Sequence, residues 1–214
     1  MNNYLNRYAQ LLIEYCLDIK AGQKLFIQST TLGLPLVKKV YQYAFEKGAL
    51  IEYQLDFQEK DQIIRDHATK DQLQYIPELV KKAFSNFDAY LHIRAPFDLK
   101  NAVNLTPEKN KIRYAAMEPY WDQYFQRTGN GEMKRTLCQF PTPAAAEMAE
   151  MTLAEYEDFV HKACLLHQEN PIEAWQKLGQ KQQRIVDFLN TKNKFRYINE
   201  HTDLTFTTNG RTWI

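Results

Sequence analysis

Gly22-Gln23-Lys24-Leu25-Phe26-Ile27, then Pro35-Leu36-Val37, then Leu50-Ile51-Glu52-Tyr53-Gln54-Leu55-Asp56-Phe57 decide the fold. Gly22 is a stop signal, and Leu25-Phe26-Ile27 is an apolar run short enough for a buried strand. Pro35 suits the first turn of a helix, where its missing N–H is no loss. Leu36, Val37, Val40, Tyr41, Ala44 and Phe45 recur at helical spacing and form one face, and Lys47-Gly48 ends it. Leu50 to Phe57 is a second strand. Strand, helix and strand with short connections predict a parallel pair with a right-handed crossover.

The same alternation extends in both directions. Before the unit, Leu5, Tyr8, Ala9, Leu12, Ile13 and Cys16 place one buried face on a helix from Tyr4 to Leu17. After it, Leu73 to Phe84 reads as a helix with Ile76-Pro77 marking an early turn or kink. Asp88 to Ile93 is a third strand and Thr136 to Phe140 a fourth. Ala95 to Trp121 has no clear period, although Thr106-Pro107-Glu108 has the form of a helix cap. Beyond Pro141 the pattern is helical. Thr142-Pro143 is a cap, and Thr152-Leu153-Ala154-Glu155 is a capping box opening a helix to about His167. Asn170-Pro171 caps another helix to about Asn190, with Ile172, Trp175, Leu178, Ile185, Phe188 and Leu189 expected on its buried face.

From Lys194 the period returns to two. Phe195-Arg196-Tyr197-Ile198 is one strand and Thr205-Phe206-Thr207-Thr208 another. Asn209-Gly210 then supplies a type I′ turn, because both residues tolerate positive φ. Arg211-Thr212-Trp213-Ile214 is expected to open a returning strand. A sheet edge ending on Trp and Ile leaves unpaired backbone in water, so the chain is expected to be part of a longer protein. The expected organisation is α/β: a parallel-sheet domain with flanking helices over 1–192, and the truncated start of a strand-led domain over 193–214.

Composition fits a globular chain. Of 214 residues, 44% are hydrophobic, 25% charged and 13% aromatic, enough to bury a full core. The 27 basic and 26 acidic residues nearly cancel, which argues against nucleic-acid or anionic-membrane partners. The 3 cysteines, Cys16, Cys138 and Cys164, are odd in number and lack a CxxC pair, so a reducing cytoplasm is expected. The opening residues show no signal-peptide pattern, and no apolar run approaches the roughly 20 residues that span a bilayer.

Candidate chemistry is sparse. With 7 glycines there is no GxGxxG or P-loop. Gln28-Ser29-Thr30-Thr31-Leu32-Gly33 offers hydroxyls and amides at a helix N-terminus, either an anion site or a capped loop, and the capped loop is favoured. Glu157, His161 and Cys164 share a helix face, but His167 is rotated away by about 120°, so the four read as polar residues of an amphipathic helix. Cys138 has no sequence tie to a histidine and reads as a buried thiol. Glu147, Glu150, Glu155, Glu157 and Asp158 read as the solvated side of capped helices. No catalytic, metal-binding or cofactor-binding residue is assigned on these grounds.

Several segments nevertheless resemble one family. They are Tyr8-Ala9-Gln10-Leu11-Leu12, Ile19-Lys20-Ala21-Gly22-Gln23 and Tyr43-Ala44-Phe45-Glu46-Lys47-Gly48-Ala49. The most specific is Phe140-Pro141-Thr142-Pro143-Ala144-Ala145-Ala146-Glu147-Met148-Ala149, similar to Tyr-Pro-Thr-x-Ala-x-Ala-Gln-x-Ala. It runs into Met151-Thr152-Leu153-Ala154-Glu155-Tyr156-Glu157-Asp158-Phe159. Asn170-Pro171 with Trp175, Thr202-Asp203-Leu204 and Gly210-Arg211-Thr212-Trp213 complete the match. Together they resemble the N-terminal half of the thermophilic metallo-aminopeptidases of peptidase family M29, with Phe140 and Glu147 departing from the common Tyr and Gln. The resemblance implies full-length relatives that work as homodimers and remove N-terminal residues from peptides. It implies two divalent metal ions, zinc, cobalt or similar, which polarise the scissile carbonyl and supply hydroxide. The family's metal ligands and catalytic Glu lie after the Gly-Arg-x-Trp hairpin, so none carries over to this chain, which is expected to be inactive alone. Two other readings are a non-catalytic peptide-binding or dimerisation module, and a flavodoxin-like domain that uses the loop after the first strand.

Overall fold

Helix α1 (Asn2–Gln10) passes directly into a wider π turn, Leu11–Cys16. The computed structural model describes residues 2–99 and 105–214. Tyr8, Ala9, Leu11, Leu12, Ile13 and Leu17 are buried, but Cys16, expected on this face, is exposed. The π turn is the reason. The Leu17 N–H reaches five residues back to the Leu12 carbonyl at 2.9 Å, and the extra residue per turn brings Leu17 inward in place of Cys16.

Strand β1 (Lys24–Thr30), helix α2 (Leu34–Glu46) and strand β2 (Leu50–Asp56) form the predicted unit, and β1 and β2 pair in parallel from Lys24↔Leu50 to Thr30↔Asp56. Pro35 lies in the first turn of α2, whose buried face is Leu36, Val37, Val40 and Ala44. Tyr41 and Phe45 extend the apolar stripe, yet they are exposed and stack on one another at 6.2 Å.

The predicted helix over 73–84 is broken in two. Helices α3 (Lys60–His67) and α4 (Lys70–Gln74) precede α5 (Glu78–Asn86), with Pro77 as the N-cap of α5. Proline forces the residue before it out of helical φ/ψ, so the helix ends and restarts rather than kinking. Helix α3 has no buried residue, which is why apolar periodicity misses it.

Strand β3 (Ala89–Arg94), helix α6 (Pro107–Gly129) and strand β4 (Lys134–Gln139) follow. Part of the stretch without clear period, residues 100–104, lies outside the described residues. Thr106 caps α6 through the Lys109 N–H at 3.4 Å. Pro119 sits inside α6 without ending it, because Met117, Tyr120, Trp121 and Tyr124 hold both flanks against the core. The four strands run parallel in the order β2-β1-β3-β4. Phe26 of β1 and Tyr90 of β3 meet Phe84 and Phe87 near α5 and Tyr124 of α6, forming an aromatic core. Arg127 closes the end of α5, donating to the Phe84 and Phe87 carbonyls at 3.0 and 2.9 Å.

Helices α7 (Pro143–Met148) and α8 (Leu153–Ala163) begin at the predicted caps. In the capping box the Thr152 N–H donates to Glu155 Oε2 at 2.8 Å, and the Glu155 N–H donates to Thr152 Oγ1 at 3.3 Å. Helix α9 (Pro171–Asn190) and a hairpin of β5 (Lys194–Asn199) and β6 (Thr202–Thr207) complete the chain.

The chain divides into two compact units, Met1–His167 and Gln168–Ile214. Helix α9 thus groups with the hairpin, whereas the expected boundary followed it. Asn190 binds this unit together: its side-chain amide donates to the Trp213 carbonyl at 3.2 Å and accepts the Trp213 N–H at 2.7 Å. Leu178, Ile185 and Phe188, expected to be buried, are exposed, because helical spacing fixes which residues share a face and not what covers it. Asn209 and Gly210 both adopt positive φ, +43° and +82°, and the Arg211 N–H closes the turn on the Thr208 carbonyl at 2.9 Å. The residues that follow form no strand. They bring Trp213 against Phe195, edge to face at 5.5 Å.

Candidate functional site

Side chains alternate across a strand, and the pairings Phe26↔Tyr90, Gln28↔His92 and Gln28↔Gln54 put all five on one face of the sheet. Toward the amino ends this face carries the aromatic core. Toward the carboxyl ends it turns polar. Gln28, Gln54, Asp56, Tyr90 and His92 floor a cleft of about 730 Å³ walled by α3, α4, α5 and α6, of a size that suits a small molecule or short peptide segment.

The polar floor is ordered. The Tyr90 hydroxyl donates to Gln28 Oε1 at 2.6 Å, which leaves the Gln28 amide hydrogens for a ligand. The Gln54 amide donates to Asp56 Oδ1 at 3.2 Å, and Lys60 pairs with the same oxygen. Burial pushes the Tyr90 hydroxyl well above the usual phenol range, so it stays a neutral donor. His92 is held below its ordinary 6.5, chiefly by burial and next by Arg94, with Asp56 opposing. On α6, Asn110, Arg113, Tyr114, Met117 and Trp121 fall at intervals of three and four and present one stripe to the cleft. Of the strand residues, His92 was detectable in sequence as a polar break between Leu91 and Ile93, while Gln28 only begins the polar end of β1. The α6 stripe was not detectable, because its buried surface is a mixed polar and aromatic one.

The loop after β1 is a capped loop. Ser29 Oγ donates to the Ile93 carbonyl at 2.8 Å and Thr30 Oγ1 donates to the Ala95 carbonyl at 2.6 Å, tying together the ends of β1 and β3. Thr30 Oγ1 also accepts the Leu32 N–H at 3.2 Å. In a sheet of this order a ligand would enter between these two strand ends. Here the hydroxyls serve the protein, and a Cβ on Gly33 would lie 2.2 Å from Ser29 Oγ.

Glu157, His161, Cys164 and His167 do not converge. His161 stacks on Tyr4 at 4.3 Å, while Cys164 Sγ meets the Tyr8 hydroxyl at 3.5 Å. Among the described residues no group of three or more His, Cys, Asp or Glu is disposed to hold a metal ion. Cys138 is buried, and burial pushes its thiol up, away from the thiolate a nucleophile needs. Of the acidic residues, Glu155 is committed to its capping box and Asp158 to Lys162 at 2.6 Å.

A sequence model of the thermophilic metalloproteases (M29) matches residues 1–214. The chain belongs to the M29 family. Among relatives of this M29 chain, Aminopeptidase 2 of Geobacillus stearothermophilus is 27% identical over 231 residues, covering 98% of this chain and 54% of that protein. Among solved structures, wild-type AmpT from Thermus thermophilus superposes with a TM-score of 0.75 at 21% identity, covering 95% of this chain and 53% of that one, and so shares its α/β fold. The M29 chain spans about half the length of these relatives. No helix among its described residues is long and apolar enough to cross a membrane.

Proposed function

We propose that this chain is the N-terminal part of a metal-dependent aminopeptidase that removes N-terminal residues from peptides. The observation that carries the reading is the match of the M29 family across residues 1–214, and the related Aminopeptidase 2 supports it. The chain's own contribution is a scaffold and a substrate-facing wall, the cleft over β2, β1 and β3. By the family resemblance two divalent metal ions are held by residues outside this chain, and the chain by itself is inactive. In this reading the metal-binding part opens at the hairpin, after residue 192, and α9 packs with that opening as one compact unit, Gln168–Ile214. Three free cysteines support a cytoplasmic setting. The open edge of β2, with exposed Tyr41, Phe45, Leu50 and Tyr53, supports a homodimer.

Two measurements test this. Highly purified chain is expected to release no leucine from a leucyl peptide, with or without zinc, cobalt or manganese; metal-dependent release would overturn the inactivity. A chimera carrying this chain in place of the matched half of Aminopeptidase 2 is expected to be active, and a folded but inactive chimera counts against the assignment.

A further inference from the structure

We propose that the cleft over the carboxyl ends of β2, β1 and β3 captures an apolar carboxylate, with Arg113 as the residue that binds the acid. Among the described residues lining it, Asp56 is the one carboxylate, and Lys60 neutralises it. Arg113 adds a second, half-buried cation, and among the described residues no carboxylate pairs with it. The lining therefore carries an excess positive charge, on a guanidinium whose planar fork matches a carboxylate with two parallel hydrogen bonds.

The neighbours of Arg113 define the rest of the ligand. On the same stripe of α6, Tyr114, Met117 and Trp121 are apolar or aromatic, which suits a hydrocarbon or aromatic side chain. The floor offers the N–H donors of Gln28, whose oxygen is already taken by Tyr90. Those donors suit a peptide carbonyl. A phosphate fits less well, because its two negative charges exceed the cleft's surplus and its small body leaves the aromatic wall uncovered.

Two sources carry such a carboxylate: the C-terminus of a short peptide and a free amino acid. The choice of peptides rests on the aminopeptidase reading, but capture of a carboxylate does not, and it is measured without turnover. Isothermal titration of the 214-residue chain with trileucine, trileucine amide and leucine separates the cases. Trileucine is expected to bind at least ten-fold more tightly than its amide. Arg113→Gln is expected to abolish that preference, and Arg113→Lys to restore part of it, with unchanged circular dichroism in both. Tight trileucine with weak leucine assigns the site to peptide C-termini. Comparable affinity for leucine assigns it to the free amino acid, and both keep the carboxylate assignment. Equal binding of trileucine and its amide, an unaltered preference in Arg113→Gln, or no binding of either acid overturns it. If carboxylate binding holds while the chimera fails, the aminopeptidase reading falls and the site stands.

Discussion

In β1, Leu25, Phe26 and Ile27 have no exposed surface; in β6, every residue is exposed. Both strands are rich in residues that favour extended backbone, so propensity does not separate them. Partners do. β1 lies between β2 and β3, with helices over both its faces, and fully burying one such side chain contributes about 1.5–3 kcal/mol. Among the described residues β6 pairs only with β5, and its main side-chain contacts are the stack of Phe195 on Phe206 at 5.4 Å and the exposed pair of Arg196 with Asp203 at 2.6 Å. Exposed ion pairs add little, and an isolated hairpin is marginal in water. The difference teaches that strand sequence announces extended backbone, while stability is set by what covers it.

The sharpest way to break this contrast is a matched pair of truncations. Phe26→Ala is expected to cost about 3–5 kcal/mol, the range for a fully buried aromatic. Phe206→Ala is expected to cost about 1 kcal/mol or less, since mainly a stacked pair is lost. Urea denaturation followed by circular dichroism measures both, and equal costs would end the distinction.

A second pair compares backbone clamps. Arg127→Met removes two charged donors from the Phe84 and Phe87 carbonyls and is expected to cost about 2 kcal/mol. Asn190→Ala removes the two hydrogen bonds to Trp213 and is expected to cost less than half as much, because water replaces them at an exposed site. A larger loss for Asn190→Ala would mean that the second unit depends on its clamp more than the first does.

Much of the first unit is legible in sequence because local and tertiary demands agree there. Pro35, Thr106-Pro107, Thr142-Pro143 and Thr152 with Glu155 each begin a helix where capping chemistry requires one. The failures lie where a non-local partner decides. Cys16 is turned out by a π turn, α3 has no buried face to betray it, and the stripe on α9 is exposed despite its period. The cleft is half legible. His92 stands out as a polar break in an apolar strand, whereas Arg113 and Trp121 are brought to it only by the packing of α6.

Smaller effects sharpen the picture within the first unit. Thr152→Ala is expected to cost on the order of 1 kcal/mol, read from the same urea curves. An unmoved midpoint would mean that α8 does not rely on its cap. For His92 the folded state favours the neutral ring, so its proton affinity lies below 6.5, the ordinary value. The unfolded chain then takes up the proton first. Its contribution to stability is full above 6.5 and is lost as pH falls through the folded value. His92→Gln is expected to flatten that part of the pH profile, and an unchanged slope would show His92 to be freely solvated.

Amide hydrogen exchange across both units, repeated at several protein concentrations, tests the contrast most directly. Protection of Leu25–Ile27 and Leu91–Ile93 is expected to approach that of global unfolding. Thr202–Thr207 is expected to exchange orders of magnitude faster at low concentration, slowing only if a second chain pairs with the hairpin edge. Strong, concentration-independent protection of Thr202–Thr207, equal to that of β1, would contradict the account.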